Sequence, residues 1–211
     1  MDATGTTVLT WDELEPTPWR NGGGSTRGLA AAPAGASVAD FDWRVSIADV
    51  AADGPFSAFP GIARVIMLID GPEMVLTVDG RTHRLGPHDA LAFPGAAETT
   101  CRVPSGPTRD LNLMTRIGRA EGTLRALAVD GRHEAPVGAD ETLLLVALTP
   151  RLSLIEPGSP ADAASGDTAS GPAPTGARVL AALDSVLRRG PGTVRLSGEG
   201  TAAEIRVRVR G

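Results

Sequence analysis

The stretch FDWRVSIADV, residues 41–50, decides the fold class, because apolar and polar residues alternate along it. Such alternation is typical of a β-strand whose two faces meet different surroundings. One face of this strand carries Phe41, Trp43, Val45 and Ile47. The opposite face carries Asp42, Arg44, Ser46 and Ala48.

Short apolar or alternating runs recur along the rest of the chain, separated by Gly, Pro and Asp. They include Arg64–Asp70, Glu73–Val78 and Asp110–Arg116. Many short strands at close spacing predict an all-β sandwich or barrel. Asp79-Gly80 joins two runs and predicts a hairpin turn. Helix signals are few: 12–14 fits a single turn, and the spacing over 178–189 leaves helix or strand open.

Composition excludes several function classes. The formal charge of −5 argues against a nucleic-acid partner, which needs a clustered basic excess. All basic residues are arginine, so Schiff-base chemistry and a lysine-dependent P-loop are excluded. The single cysteine, Cys101, is interpreted as a buried strand residue in a reducing compartment. No signal pattern or membrane-length apolar run occurs, so we expect a cytoplasmic protein without a membrane partner.

Residues 157–177 read PGSPADAASGDTASGPAPTGA and contain no aliphatic side chain larger than Ala. Such a segment buries too little apolar area to offset the entropy of ordering it. The composition predicts a flexible surface insertion. Because runs typical of strands lie on both sides of it, the insertion splits the C-terminal half rather than separating two domains.

A glycine-rich stretch, WRNGGGSTR at residues 19–27, has the composition of a binding loop. Three consecutive glycines let the backbone bend sharply and approach a ligand. Arginine, amide and hydroxyl side chains surround that bend. The stretch therefore predicts a loop that binds a small anion.

A second strand with a polar face lies at residues 110–116. Asp110, Asn112, Met114 and Arg116 share one face of it. In a sheet with one covered side this polar face would point to water. In a small barrel it would line the lumen, and alternation alone leaves both arrangements open.

Two segments resemble the motifs of cupin barrels: GPFSAFPGIAR at 54–64 and LGPHDALAFPG at 85–95. Cupin motifs usually supply three His and one Glu to a metal. By spacing, those positions fall here on Ser57, Phe59 and Arg64, and near Glu98. This set does not suit a divalent cation, and His83, His88 and His133 do not restore a site. We therefore expect no metal and no cofactor, and an arginine that favours an anion at the barrel centre.

Taken together with FDWRVSIADV and DLNLMTR (110–116), the segments WRNGGGSTR and DGPFSAFPGIARVIMLIDG (53–71) resemble the HutD/Ves family. The resemblance implies a bicupin, that is, two RmlC-like jelly-roll β-barrels in tandem. It implies an N-terminal lobe at 1–117 with the ligand pocket, and a degenerate C-terminal lobe at 118–211. It also implies a link to bacterial histidine utilisation, no established enzymatic activity, and binding of a small metabolite of the formylglutamate or urocanate kind.

A bicupin would turn the polar strand faces inward, so nine residues are candidates for ligand binding. Five converge in the first barrel: Arg44, Ser46, Arg64, Asp110 and Asn112. Three close its mouth from the loop: Asn21, Thr26 and Arg27. Arg116 lies at a strand end, where an ion pair and a ligand contact are both open. Arginine forks bind carboxylates through paired charge-assisted hydrogen bonds. Phe56 and Trp43 are interpreted as core packing.

The expected partner is a small carboxylate, and a homodimer is left open. The first alternative is a metal-independent isomerase or hydrolase, with Asp110 or Glu98 as the general base. The second is a structural protein with a vestigial pocket. No catalytic residue is assigned.

Overall fold

The computed structural model describes residues 5–37, 39–158 and 176–210, and their regular structure is almost entirely β-strand. This confirms the all-β class. One turn of 3₁₀ helix, Trp11–Glu13, lies where a helical turn was expected. The strands are β1 Thr6–Leu9, β2 Thr17–Pro18, β3 Gly24–Ala32, β4 Trp43–Val50, β5 Gly54–Phe56, β6 Ile62–Asp70, β7 Met74–Val78, β8 Arg81–Leu85, β9 Ala90–Pro94, β10 Thr99–Arg102, β11 Thr108–Arg116, β12 Ala120–Val137, β13 Glu141–Ala147, β14 Leu152–Ile155, β15 Ala177–Leu180, β16 Ser185–Arg189 and β17 Gly192–Val209.

The chain divides into two compact units. The first unit comprises residues 14–125 with 209–211, and the second comprises 1–13 with 126–208. The N-terminal strand β1 joins the second unit because it pairs antiparallel with β16. That pairing joins residues far apart in sequence, so the local pattern could not reveal it.

Two sheets build the first unit. Six strands form one sheet in the order β2-β3-β4-β11-β6-β9, and four form the other in the order β5-β10-β7-β8. A hydrophobic core lies between them, with Ile66 and Leu68 from the larger sheet and Leu76 and Cys101 from the smaller. Burial raises the pKa of the Cys101 thiol to about 12, in keeping with its interpretation as a core residue.

The hairpin predicted at Asp79-Gly80 joins β7 to β8. Asp79 has φ 45° and Gly80 has φ 78°, the left-handed conformation that a two-residue turn of this kind requires at both positions. The Asp79 carboxylate also accepts a hydrogen bond of 2.9 Å from the backbone N–H of Glu98. This contact ties the turn to the segment that precedes β10.

The second unit holds a seven-stranded sheet in the order β1-β16-β13-β17-β14-β15, with β12 also paired to β17. Its core is aliphatic and includes Leu143, Leu145 and Leu196. The ambiguous segment 178–189 forms two strands, β15 and β16, rather than a helix. A turn between these strands is held by the Asp184 carboxylate, which accepts a hydrogen bond of 3.0 Å from Ala181 N–H.

The expected flexible insertion at 157–177 falls largely on residues 159–175, which lie outside the described residues. Its C-terminal limit differs from the expectation, because Ala177 already begins β15. Within 5–37, 39–158 and 176–210, no helix has the length and apolar character needed to cross a bilayer.

Candidate functional site

A cavity of about 500 Å³ lies within the first unit, and polar side chains line it from four neighbouring strands, β3, β4, β11 and β6, and from the loops that follow β2 and β5. Seven of the nine candidate ligand residues are among its lining: Asn21, Thr26, Arg44, Ser46, Arg64, Asp110 and Asn112. This volume falls in the range of pockets that enclose a small organic molecule.

Cross-strand register explains why these residues meet. On β11, Met114 pairs with Arg44 of β4 on one side and with Arg64 of β6 on the other. Residues that pair directly across antiparallel strands point to the same face of the sheet. The two arginines therefore flank Met114 on one face, with backbones about 10 Å apart, two strand spacings.

The next rows of the same face continue the lining. Asn112 pairs with Ser46 and Ile66, and Asp110 pairs with Ala48 and Leu68. The polar face predicted for residues 110–116 therefore points toward the interior of the first unit. The opposite face of β4, with Trp43 and Ile47, is equally buried. Neither face of this strand is a simple water-exposed surface.

Arg64 is held in a box of aromatic rings. Its guanidinium carbon lies 5.6 Å from the ring centroid of Phe56, 5.5 Å from that of Phe59 and 5.1 Å from that of Phe93. Cation–π contacts of this kind stabilise a guanidinium and fix its plane. Arg64 is only 4% exposed, and one of its terminal nitrogens donates to the Ser57 carbonyl at 3.4 Å.

The inner nitrogen of the same guanidinium, Nε of Arg64, is buried without a hydrogen-bond partner. Burial lowers the pKa of Arg64 to about 10, and nearby Asp110 acts in the opposite direction. The side chain is therefore a cation at neutral pH. It combines positive charge, restricted orientation and an unused donor beside a cavity, which suits it to bind an anion.

Asp110 is the most deeply buried polar residue of the cavity, with 1% exposure. Neither of its carboxylate oxygens has a hydrogen-bond partner. Burial between Ala48 and Leu68 raises the pKa of Asp110 to about 7, the positive charge of Arg64 opposes that rise, and the negative charge of Asp49 adds to it. Asn112 Oδ1 is a further buried acceptor without a partner.

The loop between β2 and β3 forms one wall of the cavity. Trp19 Nε1 donates to Thr26 Oγ1 at 2.7 Å, and the Trp19 ring packs edge-on against Phe56, with centroids 6.0 Å apart. Asn21 Oδ1 accepts a hydrogen bond of 3.0 Å from Gly23 N–H. These contacts hold a tight hairpin, so the glycines fold the loop back on itself beside the aromatic box.

Two candidate residues, Arg27 and Arg116, do not line the cavity. Arg27 donates to the Leu14 carbonyl at 3.0 Å and forms an ion pair of 2.9 Å with Asp49. Arg116 donates to backbone carbonyls of Phe41 and Ala39, each at 2.9 Å. Both arginines are thus engaged in contacts within the protein rather than directed at the cavity. Glu98, considered above as a general base, is exposed and is also absent from the lining.

Several lining residues were not among the candidates. Phe56 packs against the core, as interpreted from the sequence, and it also lines the cavity and contacts Arg64. Phe59, Met114 and Arg20 also line it. The spacing of the two phenylalanines before Arg64 in FSAFPGIAR was the available signal. Its meaning depended on how β5, the following loop and β6 turn toward each other.

The cavity residues do not fit the metal that many cupins carry. Of the positions that align with cupin metal ligands, Ser57, Phe59 and Arg64 line the cavity, and Arg64 brings a positive charge to it. A guanidinium beside the site repels a divalent cation, and a phenyl ring cannot coordinate one. In the part of the chain that the structure describes, no cluster of three or more His, Cys, Asp or Glu has the geometry to hold a metal ion.

This chain is similar in sequence to known bacterial proteins. It is 38% identical over 131 residues to an uncharacterised 21.2 kDa protein of Pseudomonas putida, an alignment covering 62% of this chain and 67% of the relative. That relative is named for its position in the hutC 3′ region, which links the group to the histidine utilisation locus. This chain is also 41% identical over 109 residues to protein Ves of Citrobacter koseri, an alignment covering 51% of this chain and 56% of Ves.

Solved structures extend the similarity over nearly the whole chain. HutD from Pseudomonas fluorescens SBW25, determined in a formate condition, is 29% identical and superposes with a TM-score of 0.78, covering 98% of this chain and all of that one. A cupin 2 conserved barrel domain protein from Leptotrichia buccalis is 8% identical with a TM-score of 0.58, covering 97% and 96% of the two chains, which shows a cupin-like fold. A profile of the HutD family matches residues 12–196. The chain therefore belongs to the HutD family.

Proposed function

We propose that this chain binds a small carboxylate metabolite in the cavity of its first unit and, through that binding, regulates histidine utilisation. The observation that carries the proposal is the Arg64 guanidinium, a buried cation on the cavity wall whose Nε has no hydrogen-bond partner. A carboxylate would satisfy that donor and offset the buried charge. Arg44, on the same face two strands away, supplies a second cation.

Cavity size and polarity favour a ligand of the formylglutamate or urocanate kind. About 500 Å³ accommodates a molecule of this size together with several waters. Besides the arginines, the wall offers amide and hydroxyl groups from Asn112, Ser46 and Thr26. These groups can accept or donate, which suits the amide or heterocyclic nitrogen of such metabolites.

The test is a thermal shift and calorimetric titration of the chain against a panel of small carboxylates. Arg64→Ala removes the central cation, and Arg27→Ala is the matched control because Arg27 lies off the cavity. We expect at least one compound to stabilise the wild-type chain and the Arg27 variant, but not the Arg64 variant. If no compound shifts the melting temperature at millimolar concentration, the cavity is vestigial and the proposal fails.

We also propose that binding needs no metal and that the two units form a bicupin in the cytoplasm. Binding without a metal is supported by the Arg64 guanidinium, which lies at a position where cupins have a metal ligand. The bicupin arrangement is supported by similarity to a cupin over nearly the whole chain. A single, buried cysteine is consistent with a reducing compartment. Dialysis against a chelator should leave the ligand-induced shift unchanged. An experimental structure would test the paired barrels, and size-exclusion chromatography would show whether the chain dimerises.

One observation favours a second candidate, a metal-independent enzyme acting on a small acid. Asp110 is a buried carboxyl group in the cavity, and burial raises its pKa to about 7, where a general base is effective. Turnover of a stabilising compound, abolished by Asp110→Asn while binding persists, would favour catalysis. Binding without turnover would favour the regulatory role.

A further inference from the structure

Building on the proposed function, we infer that the cavity selects carboxylates that also carry an N–H donor, and that this donor binds Asp110. The ligand is then recognised at two points: its anionic end by Arg64, and its N–H group by the buried carboxylate. Simple carboxylates without a donor are discriminated against. The inference concerns which chemical class the cavity accepts.

The first support is the set of unused acceptors. Both oxygens of Asp110 and the Oδ1 of Asn112 are buried without a hydrogen-bond partner. They lie two residues apart on β11, so both side chains point to the same face, and both line the cavity. Buried acceptors left unsatisfied are strongly unfavourable, and more so when charged. A ligand whose donors reach this part of the wall would therefore satisfy acceptors that the protein itself leaves unpaired.

The second support is the separation of Arg64 from Asp110. The guanidinium is directed by three phenylalanine rings and the Ser57 carbonyl, and it donates no hydrogen bond to the carboxylate. The protein thus leaves a cationic donor and an anionic acceptor both unsatisfied on one cavity wall. A molecule that carries an acceptor at one end and a donor at the other complements both.

The third support is electrostatic. A ligand carboxylate at Arg64 enters a cavity that already contains the Asp110 carboxyl group, with Asp49 contributing further negative potential. Two like charges in a buried site repel each other, and a hydrogen-bond donor placed between them offsets part of that repulsion. An N–H group on the ligand supplies that donor. A donor-free acid of the same shape instead places an acceptor against Asp110.

Matched probes isolate the donor. Imidazole-4-acrylic acid and 3-(2-furyl)acrylic acid share the acrylate and a planar five-membered ring, but only the first has an N–H. N-Formylglutamate and its N-methyl derivative repeat the comparison for an amide. Affinities are measured by calorimetry at about pH 8.5, where a carboxyl group with a pKa of about 7 is mostly ionised. Of the two scaffolds, we use the one whose N–H member has the higher affinity for the wild-type chain, and compare that member with its donor-free partner.

We expect the N–H probe to bind the wild-type chain about 100-fold more tightly than its donor-free partner, since sites built around a hydrogen bond reject analogues that lack it. In Asp110→Asn, this preference should fall to about tenfold or less, because the amide can turn its own N–H toward either probe. Circular dichroism checks that the variant is folded. The wild-type probe comparison needs no variant, so the inference stays testable if Asp110→Asn does not fold.

Equal affinities of the two probes for the wild-type chain overturn the inference, and so does a preference that persists undiminished in folded Asp110→Asn. Either result, combined with binding that depends on Arg64, leaves the proposed carboxylate function standing. If neither probe binds at about 10 mM, the proposed function itself fails for these scaffolds and the inference fails with it.

Discussion

Arg64 and Asp110 face one cavity from the neighbouring strands β6 and β11, yet the carboxylate accepts no hydrogen bond from the guanidinium. In a buried ion pair, direct contact between the two charged groups offsets part of the cost of losing their hydration. Here the aromatic box orients the cation, and Asp110 lies between Ala48 and Leu68. Both groups therefore keep binding capacity that a salt bridge would have used.

The buried carboxyl group makes stability depend on pH. Burial raises the pKa of Asp110 from 3.8 to about 7. Between these values the folded chain holds a proton that the unfolded chain has released, so the free energy of unfolding falls as pH rises. The loss is complete above the folded pKa and is of the order of a few kcal/mol. We expect urea unfolding of the ligand-free chain to show this decline between about pH 4 and about pH 7.

Asp110→Asn should flatten that dependence and be more stable than the wild-type chain at about pH 8, because the buried carboxylate is then replaced by a neutral amide. Asp140→Asn, at an exposed position, is the matched control and should follow the wild-type curve. Parallel pH curves for the wild-type chain and Asp110→Asn would show that this carboxyl group does not carry the effect.

The two arginines Arg44 and Arg27 should have separable roles. Arg44 lines the cavity, whereas Arg27 is paired with Asp49 and the Leu14 carbonyl. Arg44→Gln removes a charged donor and should weaken carboxylate binding about tenfold, with little change in stability. Arg27→Gln should lower the free energy of unfolding by about 1 kcal/mol and leave affinity within about twofold. Titration and urea unfolding of both variants check this, and the reverse assignment would contradict it.

Sequence alternation was sufficient to predict which residues of β4 and β11 share a face, since side-chain direction has a period of two. It also predicted the Asp79-Gly80 turn, where local chemistry dictates the backbone. The same rule explains why Arg27 lies off the cavity. Thr26 and Arg27 are consecutive in β3, so only one of them can face inward, and treating the segment as a loop hid this.

Other features depended on contacts distant in the chain. The row Arg44–Met114–Arg64 exists because of the register of three strands, which no local pattern specifies. The role of Phe56 required strand β5 to approach Arg64 of β6. Segment 178–189 was ambiguous because its closely spaced apolar residues suit a helix as well as two strands. Pairing with β14 and with β13 makes the two halves strands.

The aromatic box should control how well Arg64 binds an anion. Phe59→Leu keeps an apolar side chain but removes one ring from the guanidinium, at 5.5 Å in the native chain. The freed side chain can adopt more orientations, so we expect carboxylate affinity to fall about fivefold to tenfold. Ile117→Leu, at an exposed position, is the control. Unchanged affinity in Phe59→Leu would mean that Ser57 and the remaining rings suffice.

The conformation of the β2–β3 hairpin, which forms one wall of the cavity, should depend on Gly24 much more than on Gly23. A Cβ at Gly24 would overlap the Asp49 carbonyl oxygen and meet the Trp19 ring at 3.1 Å, whereas at Gly23 the nearest atom is Asn21 Oδ1 at 3.4 Å. Gly24→Ala must displace either β3 from β4 or the Trp19 side chain. Trp19 packs against Phe56 and donates a hydrogen bond to Thr26. We expect it to lower stability by about 1–3 kcal/mol and to weaken ligand binding, while Gly23→Ala stays within about 0.5 kcal/mol. Urea unfolding and titration of the two variants side by side test this, and equal effects would show that the close approach of β3 to β4 is not what shapes the wall.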